Sequence, residues 1–199
     1  FTSTSEVYGD PQVSPQSESY RGNVSTTGPR AVYDESKRFG ETIVSAFVRG
    51  KKLDGRITRI FNTYGPGMNI SEGRAVVNFI KQAIKNKSIT IYGDGSQTRS
   101  FCYVDDEVEG LILAMEKGKS GEVYNIGNDE EMTILEFAKL IKKLAGSESK
   151  IVFSQSLPED DPLQRRPDIA KAKKVFGWEP KIGLEEGLLK TIQYFRKIQ

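Results

Sequence analysis

The chain has no histidine at all. That absence excludes Ser-His-Asp and Cys-His catalysis and removes the commonest metal ligand, so no metal site is expected. Cys102 is the only cysteine. It can close no internal disulfide and build no cysteine cluster, which fits a reducing, cytoplasmic setting. No apolar run approaches membrane-spanning length and no signal-peptide pattern is present, so no membrane segment is expected in these residues. Charge of one sign is also scarce, with 29 Lys and Arg against 27 Asp and Glu and a formal net charge of +2. A dedicated nucleic-acid binder carries a strong basic excess, so nucleic acid is not an expected partner. An anionic small molecule remains possible, because a pocket needs only a few local cations.

What is present is enough for a folded core. Hydrophobic residues make up 37% of 199 residues, a length that suggests one domain, or one and a small lobe. Phe1 reads as the end of a buried strand, and residues 9–30 as a surface loop rich in Gly, Pro and Ser. A helical pattern runs from Tyr33 to about Val48, with Phe39, Ile43, Ala46 and Phe47 on one face. Short β-branched runs at 56–61, 88–93, 122–127 and 150–153 read as strands. Helices are expected at 74–86, at 104–118 with acids in its first turn and Gly118 at its end, and at 132–146 with a Thr133/Glu136 capping box. Two more are expected, one over 167–178 that begins at Pro167 and ends at Gly177, and one over 184–197. Phe176 and Trp178 read as core. Strands alternating with helices imply an α/β fold with a parallel sheet.

Two segments carry candidate chemistry. "YDESK" places Tyr33 and Lys37 four apart, on one face at the start of a helix. A neighbouring ammonium favours the phenolate, so such a tyrosine can take a proton from a substrate hydroxyl. Alone the pattern is weak, since an exposed tyrosine beside a solvated lysine reads the same way. It follows Thr4-Ser5-Glu6 by fewer than about thirty residues, however. A hydroxyl and a carboxylate at a strand's carboxyl end would join it in one site, with Thr4 donating to the oxygen that Tyr33 deprotonates.

"TSTSEVYGDP", "GPRAVYDESKR", "RIFNTYGPGM", "IYGDGSQTRSF" and "DDPLQRRPDI" resemble the extended short-chain dehydrogenase/reductases that act on nucleotide sugars, and among them the UDP-glucuronate decarboxylases (UDP-xylose synthases). The likeness runs over essentially the whole chain. It implies the C-terminal portion of a Rossmann-like parallel sheet with a small α/β substrate-binding lobe. Residues 1–63 would be the remainder of the NAD-binding domain with its catalytic helix. Residues 64–199 would be mainly the nucleotide-sugar lobe, with some elements returning to the sheet. The Gly-rich turn that binds the NAD pyrophosphate is found nowhere in this sequence, so a first half of on the order of 100 residues is expected to lie outside it. Thr-Ser-Glu at 4–6 resembles the decarboxylases; the 4,6-dehydratases carry Asp where Ser5 stands, and the 4-epimerases lack the Glu.

The resemblance also implies roles for single residues. Asn62 would contact the nucleotide sugar and Thr63 the nicotinamide end. Arg74 would contact cofactor or phosphate, although a surface arginine at a helix start reads almost as well. Tyr92 and Arg99 would clamp uridine and diphosphate, and Arg165 would reach the sugar carboxylate. Arg166 is expected to be solvated or to pair with Asp160 or Asp161. The implied reaction is NAD-dependent decarboxylation of UDP-glucuronate to UDP-xylose through a 4-keto sugar, with Thr4, Ser5, Glu6, Tyr33, Lys37 and Arg165 as the catalytic set. The alternatives are a dehydratase, an epimerase, or a non-catalytic nucleotide-sugar-binding lobe. A homodimer is implied through the face of Phe39, Ile43, Ala46 and Phe47.

Overall fold

The chain runs β1 (Thr2–Thr4), a 3-10 turn (Ser5–Tyr8), α1 (Ala31–Arg49), β2 (Ile57–Ile60), β3 (Thr63–Tyr64), α2 (Ala75–Ile84) and β4 (Ile89–Tyr92). It continues with β5 (Thr98–Ser100), β6 (Cys102–Tyr103), α3 (Val104–Lys117), β7 (Val123–Ile126), β8 (Glu131–Thr133) and α4 (Ile134–Leu144). The last elements are β9 (Ile151–Ser154), β10 (Gln164–Arg165), α5 (Ala170–Phe176) and α6 (Leu184–Ile198). This is a computed structural model, and it describes residues 1–154, 157 and 161–198.

The β-branched run of β2 lies between β1 and β7 in a three-stranded parallel sheet, with Thr2 opposite Thr58 and Thr58 opposite Tyr124. Alternation along the strands gives the sheet two different faces. Arg59 and its register partner Asn125 face one way, and Arg59 meets Glu41 of α1 there. Tyr124 and Ile126 face the other way, toward α3 and α5. On that side Tyr124 packs edge-on against Phe176, with ring centroids 5.1 Å apart. Gly110 lets α3 approach closely: a Cβ there would lie 2.6 Å from Ile126 and 2.9 Å from Trp178. Phe176 and Trp178 are core, as their patterning predicts.

The second core joins α2, α4 and α6 to β4 and to Phe101 and Tyr103. Phe101 and Phe137 stack with centroids 4.0 Å apart at its centre. Two short sheets rim the cleft above it. β10 and β8 flank β5, the first parallel and the second antiparallel. β9 pairs with β4 in parallel.

Two expectations need correction. Phe1 is half exposed, not buried; its ring lies over Gly40 of α1 and its carbonyl accepts from Thr58 N. α5 begins at Ala170, not at Pro167. Residues 166–168 are taken up by pairing with Gln16, whose N and O bond Arg166 O and Asp168 N, and the Asp168 carboxylate then accepts from Ala170 N. The predicted capping box at Thr133 and Glu136 is present, and Gly177 ends α5 at a φ of 70°. No helix among the described residues is long and apolar enough to cross a membrane.

Candidate active site

β1 ends at Thr4 in extended conformation, and the chain then tightens into the 3-10 turn. Thr4 Oγ1 accepts from Glu6 N at 3.3 Å. Gly9, at a φ of 62°, closes the turn by donating to Glu6 O; a Cβ there would fall 2.0 Å from Asn23 O. Thr4, Ser5 and Glu6 are thereby presented to a cavity of about 680 Å³, within the range of small-molecule sites. Tyr33, Lys37, Asn62, Thr63, Arg74, Tyr92, Arg99 and Arg165 line the same cavity. The structure therefore brings together every site residue picked out from the sequence.

Their settings differ. Glu6 is held from two sides: Arg165 Nη1 on its Oε1, and Arg30 Nη2 2.5 Å from its Oε2. Burial would raise its pKa, but the two guanidiniums outweigh it and hold the carboxyl below the ordinary range. Arg165 is also tied to Gly9 O through Nη2, at 3.4 Å. Its buried Nε has no hydrogen-bond partner among the described residues. Arg99, opposite Arg165 in the β5–β10 register, pairs with Asp161 at 2.9 Å. Asp161 is also 3.8 Å from Arg30. Burial lowers the pKa of Arg99, Asp161 opposes this, and Arg165 and Arg30 reinforce it. Among the described residues Glu6 and Asp161 thus meet three guanidiniums, and Asp34 adds its charge beside Arg30.

Tyr33 and Lys37 face the cavity from the first turns of α1. Lys37 Nζ donates to Thr2 O at 3.1 Å and lies 5.9 Å from the Tyr33 ring centroid. Asn62 is fixed by its carbonyl, which accepts from Cys102 N, and its Nδ2 donates to Ser100 O at 3.4 Å. Tyr92 is half exposed at the end of β4. Arg74 is the N-cap of α2, makes no side-chain cap bond, and pairs with Glu72 at 2.9 Å.

Arg166 is partly solvated, as one of its two expected settings has it, and its Nε donates to Asp129 O at 2.8 Å. Asp161 is taken by Arg99 and Arg30, and Asp160 lies outside the described residues. Sequence reading missed Arg30, Asp161 and Glu107. Arg30 stands three residues before Tyr33 in "GPR", and that spacing was the available signal. Glu107 reads as a helix-start acid but is buried against Thr63. Among the described residues no group of His, Cys, Asp and Glu could hold a metal ion.

The description "NAD dependent epimerase/dehydratase family" matches residues 1–127. The chain is 56% identical over 199 residues to UDP-glucuronic acid decarboxylase 1 of Danio rerio, covering 99% of this chain and 47% of that protein. It is 53% identical over 196 residues to UDP-glucuronic acid decarboxylase 6 of Arabidopsis thaliana, covering 98% of this chain and 57% of that one. The chain thus spans about half the length of the curated relatives it matches. Among solved structures it is similar to UDP-glucose 4-epimerase of Thermotoga maritima, with a TM-score of 0.91 and 34% identity over 100% of this chain and 63% of that one. It is also similar to UDP-glucuronic acid 4-epimerase of Bacillus cereus, solved with UDP-glucuronic acid and NAD. That match has a TM-score of 0.84 and 32% identity over 100% of this chain and 61% of that one.

Proposed function

The chain belongs to the NAD dependent epimerase/dehydratase family, and from that premise we propose that it is the acid–base and sugar-binding part of a UDP-glucuronate decarboxylase, which yields UDP-xylose through a 4-keto sugar. The observation that carries this reading is the clamp on Glu6. One carboxylate is held by Arg165 and Arg30, a third guanidinium lies close by, and a hydroxyl, Ser5, stands where a dehydratase would need a second acid. Such a site accepts an anionic sugar. A second carboxylate beside Glu6 would repel the substrate's own. On this reading residues 1–63 belong to the dinucleotide-binding domain and 64–199 mainly to the sugar lobe.

Tyr33 takes the proton of the C4 hydroxyl, and Thr4 Oγ1 hydrogen-bonds the oxygen that results. Lys37 places a cation beside the phenol. The C5 carboxylate then lies β to a ketone, so loss of CO2 gives an enolate, whose oxygen Thr4 and Tyr33 stabilise. Glu6 and Arg165 hold the carboxylate end and manage the proton that returns to C5. Asn62, Tyr92 and Arg99 take the uridine diphosphate, where Arg99 offers a planar fork to phosphate. The donor set fits the nicotinamide-ribose end of NAD. Lys37 Nζ makes one hydrogen bond among the described residues and keeps further donors beside the Tyr33 ring, with Thr63 and Arg74 lining the same cavity. When bound, NAD would supply the acceptor for the C4 hydride and, after CO2 is lost, its return to C4, so that the 4-keto sugar ends as UDP-xylose. A homodimer through α1 and a cytoplasmic setting complete the reading.

Calorimetry and product analysis test it. The 199-residue chain should bind UDP and UDP-glucuronate weakly. It should bind NAD poorly, because the sequence carries no glycine-rich pyrophosphate turn, and it should turn nothing over. A full-length enzyme with this sequence should release CO2 from UDP-glucuronate. A full-length enzyme that epimerises or dehydrates the sugar without losing CO2 would overturn the assignment.

A further inference from the structure

Glu107 sits in the first turn of α3, where a carboxylate ordinarily faces water and the helix dipole. Here it is 3% exposed, turned inward under the floor of the cavity. Its Oε2 is 3.2 Å from Thr63 Oγ1, and the same hydroxyl is 3.0 Å from Phe61 O. Thr63 has a single proton to donate. Were Glu107 a carboxylate, it and Phe61 O would compete for that proton. Its Oε1, which has no hydrogen-bond partner among the described residues, would then be an orphaned buried anion. Protonated on Oε2, Glu107 donates to Thr63 Oγ1 and Thr63 donates to Phe61 O. One directed chain then runs through both hydroxyl protons, and Oε1 is left a neutral carbonyl oxygen, far less costly to bury than an anion.

The groups that bear on Glu107 from neighbouring elements agree with this. Burial pushes its pKa up to about 8; Thr63 of β3 and the Cys102 thiol of β6 lower it, and Asp106 on its own helix raises it. Phe61, Asn62 and Thr63 all line the cavity, and Thr63 is the register partner of Cys102.

We propose that Glu107 is a positioning residue, a neutral buried acid whose proton orients the Thr63 hydroxyl and fixes the 61–63 segment that floors the ligand cavity. It touches no ligand and acts through Thr63. When it loses its proton the directed chain breaks, and the floor loses one of its ties.

The test uses the 199-residue chain labelled with 13C at glutamate carboxyls and threonine methyls. Across roughly pH 6–10 the Glu107 carboxyl and the Thr63 methyl should move together, with one midpoint near 8. In Glu107→Gln, which keeps size and a donor, the Thr63 methyl should stay at its low-pH position throughout. Affinity for UDP, the probe for the cavity, should fall about fivefold across the same midpoint in the unaltered chain, the equivalent of one lost hydrogen bond. It should stay flat in Glu107→Gln. In Glu107→Leu it should be about fivefold weaker at every pH. A Glu107 carboxyl titrating in the ordinary range would overturn the proposal. So would a Thr63 methyl that ignores the titration, or the same UDP profile in the unaltered chain and Glu107→Gln. The choice of UDP rests on the function proposed above, whereas the coupled titration does not. A chain that binds no UDP counts against that function, and the titration then decides the role of Glu107 by itself.

Discussion

Glu41 receives both arms of Arg59, Nε at 2.9 Å on Oε1 and Nη2 at 2.7 Å on Oε2. Ser3 Oγ donates to the same Oε1 at 2.5 Å. The helix that carries Tyr33 and Lys37 is thereby fixed to β1 and β2 by one largely buried carboxylate. Glu41→Gln leaves the Arg59 charge buried without its counter-ion and should cost about 3–5 kcal/mol. Denaturant unfolding measures this, and a loss below about 1 kcal/mol would place the pair among weak surface bridges.

Tyr33→Phe keeps the ring and removes only the acid–base group. In the full-length enzyme it should lower turnover by at least about 100-fold while UDP-glucuronate still binds. Single-turnover absorbance of reduced nicotinamide is the measurement, and formation at the normal rate would remove Tyr33 from its role.

Arg30 and Arg165 should both distinguish UDP-glucuronate from UDP. The Arg30 side chain is 35% exposed against 4% for Arg165, which is also anchored to Gly9 O. Arg30 is therefore the arginine freer to turn from Glu6 toward an incoming carboxylate. Arg30→Gln should weaken UDP-glucuronate by about tenfold and leave UDP unchanged, as expected for one charge-assisted bond. Arg165→Lys keeps the charge and loses the fork, and it too should weaken UDP-glucuronate more than UDP. Equal loss for both ligands would make either residue a phosphate or framework group.

The exposed face of α1 bears on assembly. Phe39, Ile43 and Phe47 are all well exposed, and Ala46 lies between them. Patches of this kind drive association. Sedimentation should show a concentration-dependent dimer, and Phe39→Glu with Phe47→Glu should return a monomer. A chain that stays monomeric at high concentration would remove this face as the contact.

The pH dependence of stability follows from Glu107. Its folded pKa, about 8, lies above the ordinary 4.5, so the folded chain holds one more proton between those values. That contribution is complete below about 4.5 and is lost as pH rises through the window to about 8. One such proton gives a slope of about 1.4 kcal/mol per pH unit. Unfolding free energies of Glu107→Gln should lack that slope, and an unchanged slope would mean the acid is ionised when buried.

The sequence made the long elements legible and left the short ones hidden. The longer helices α1, α3, α4 and α6 repeat their apolar residues over about three turns or more, and Thr133 with Glu136 announces the start of α4. β3, β6 and β10 hold two residues each, too few for alternation to register. They exist because a distant partner is there to pair. The site divides along the same line. Tyr33 and Lys37 show through local spacing, and Thr4 to Glu6 through their place after a strand. Asp161 gains its meaning only from Arg99 and Arg30, and Glu107 only from Thr63.

The bond between Arg165 and Glu6 joins residues 159 positions apart. Closing so long a loop is among the slower demands on a folding chain, because entropy is lost before the contact can return anything. The pocket is therefore expected to close after the local elements have formed. Loss of the last forty or so residues would remove Arg165 from it while leaving α1 and the strand before it able to form. A ligand that spans Glu6, Arg99 and Arg165 would tie the two ends of the chain together, protecting the whole molecule against unfolding and not only its cleft.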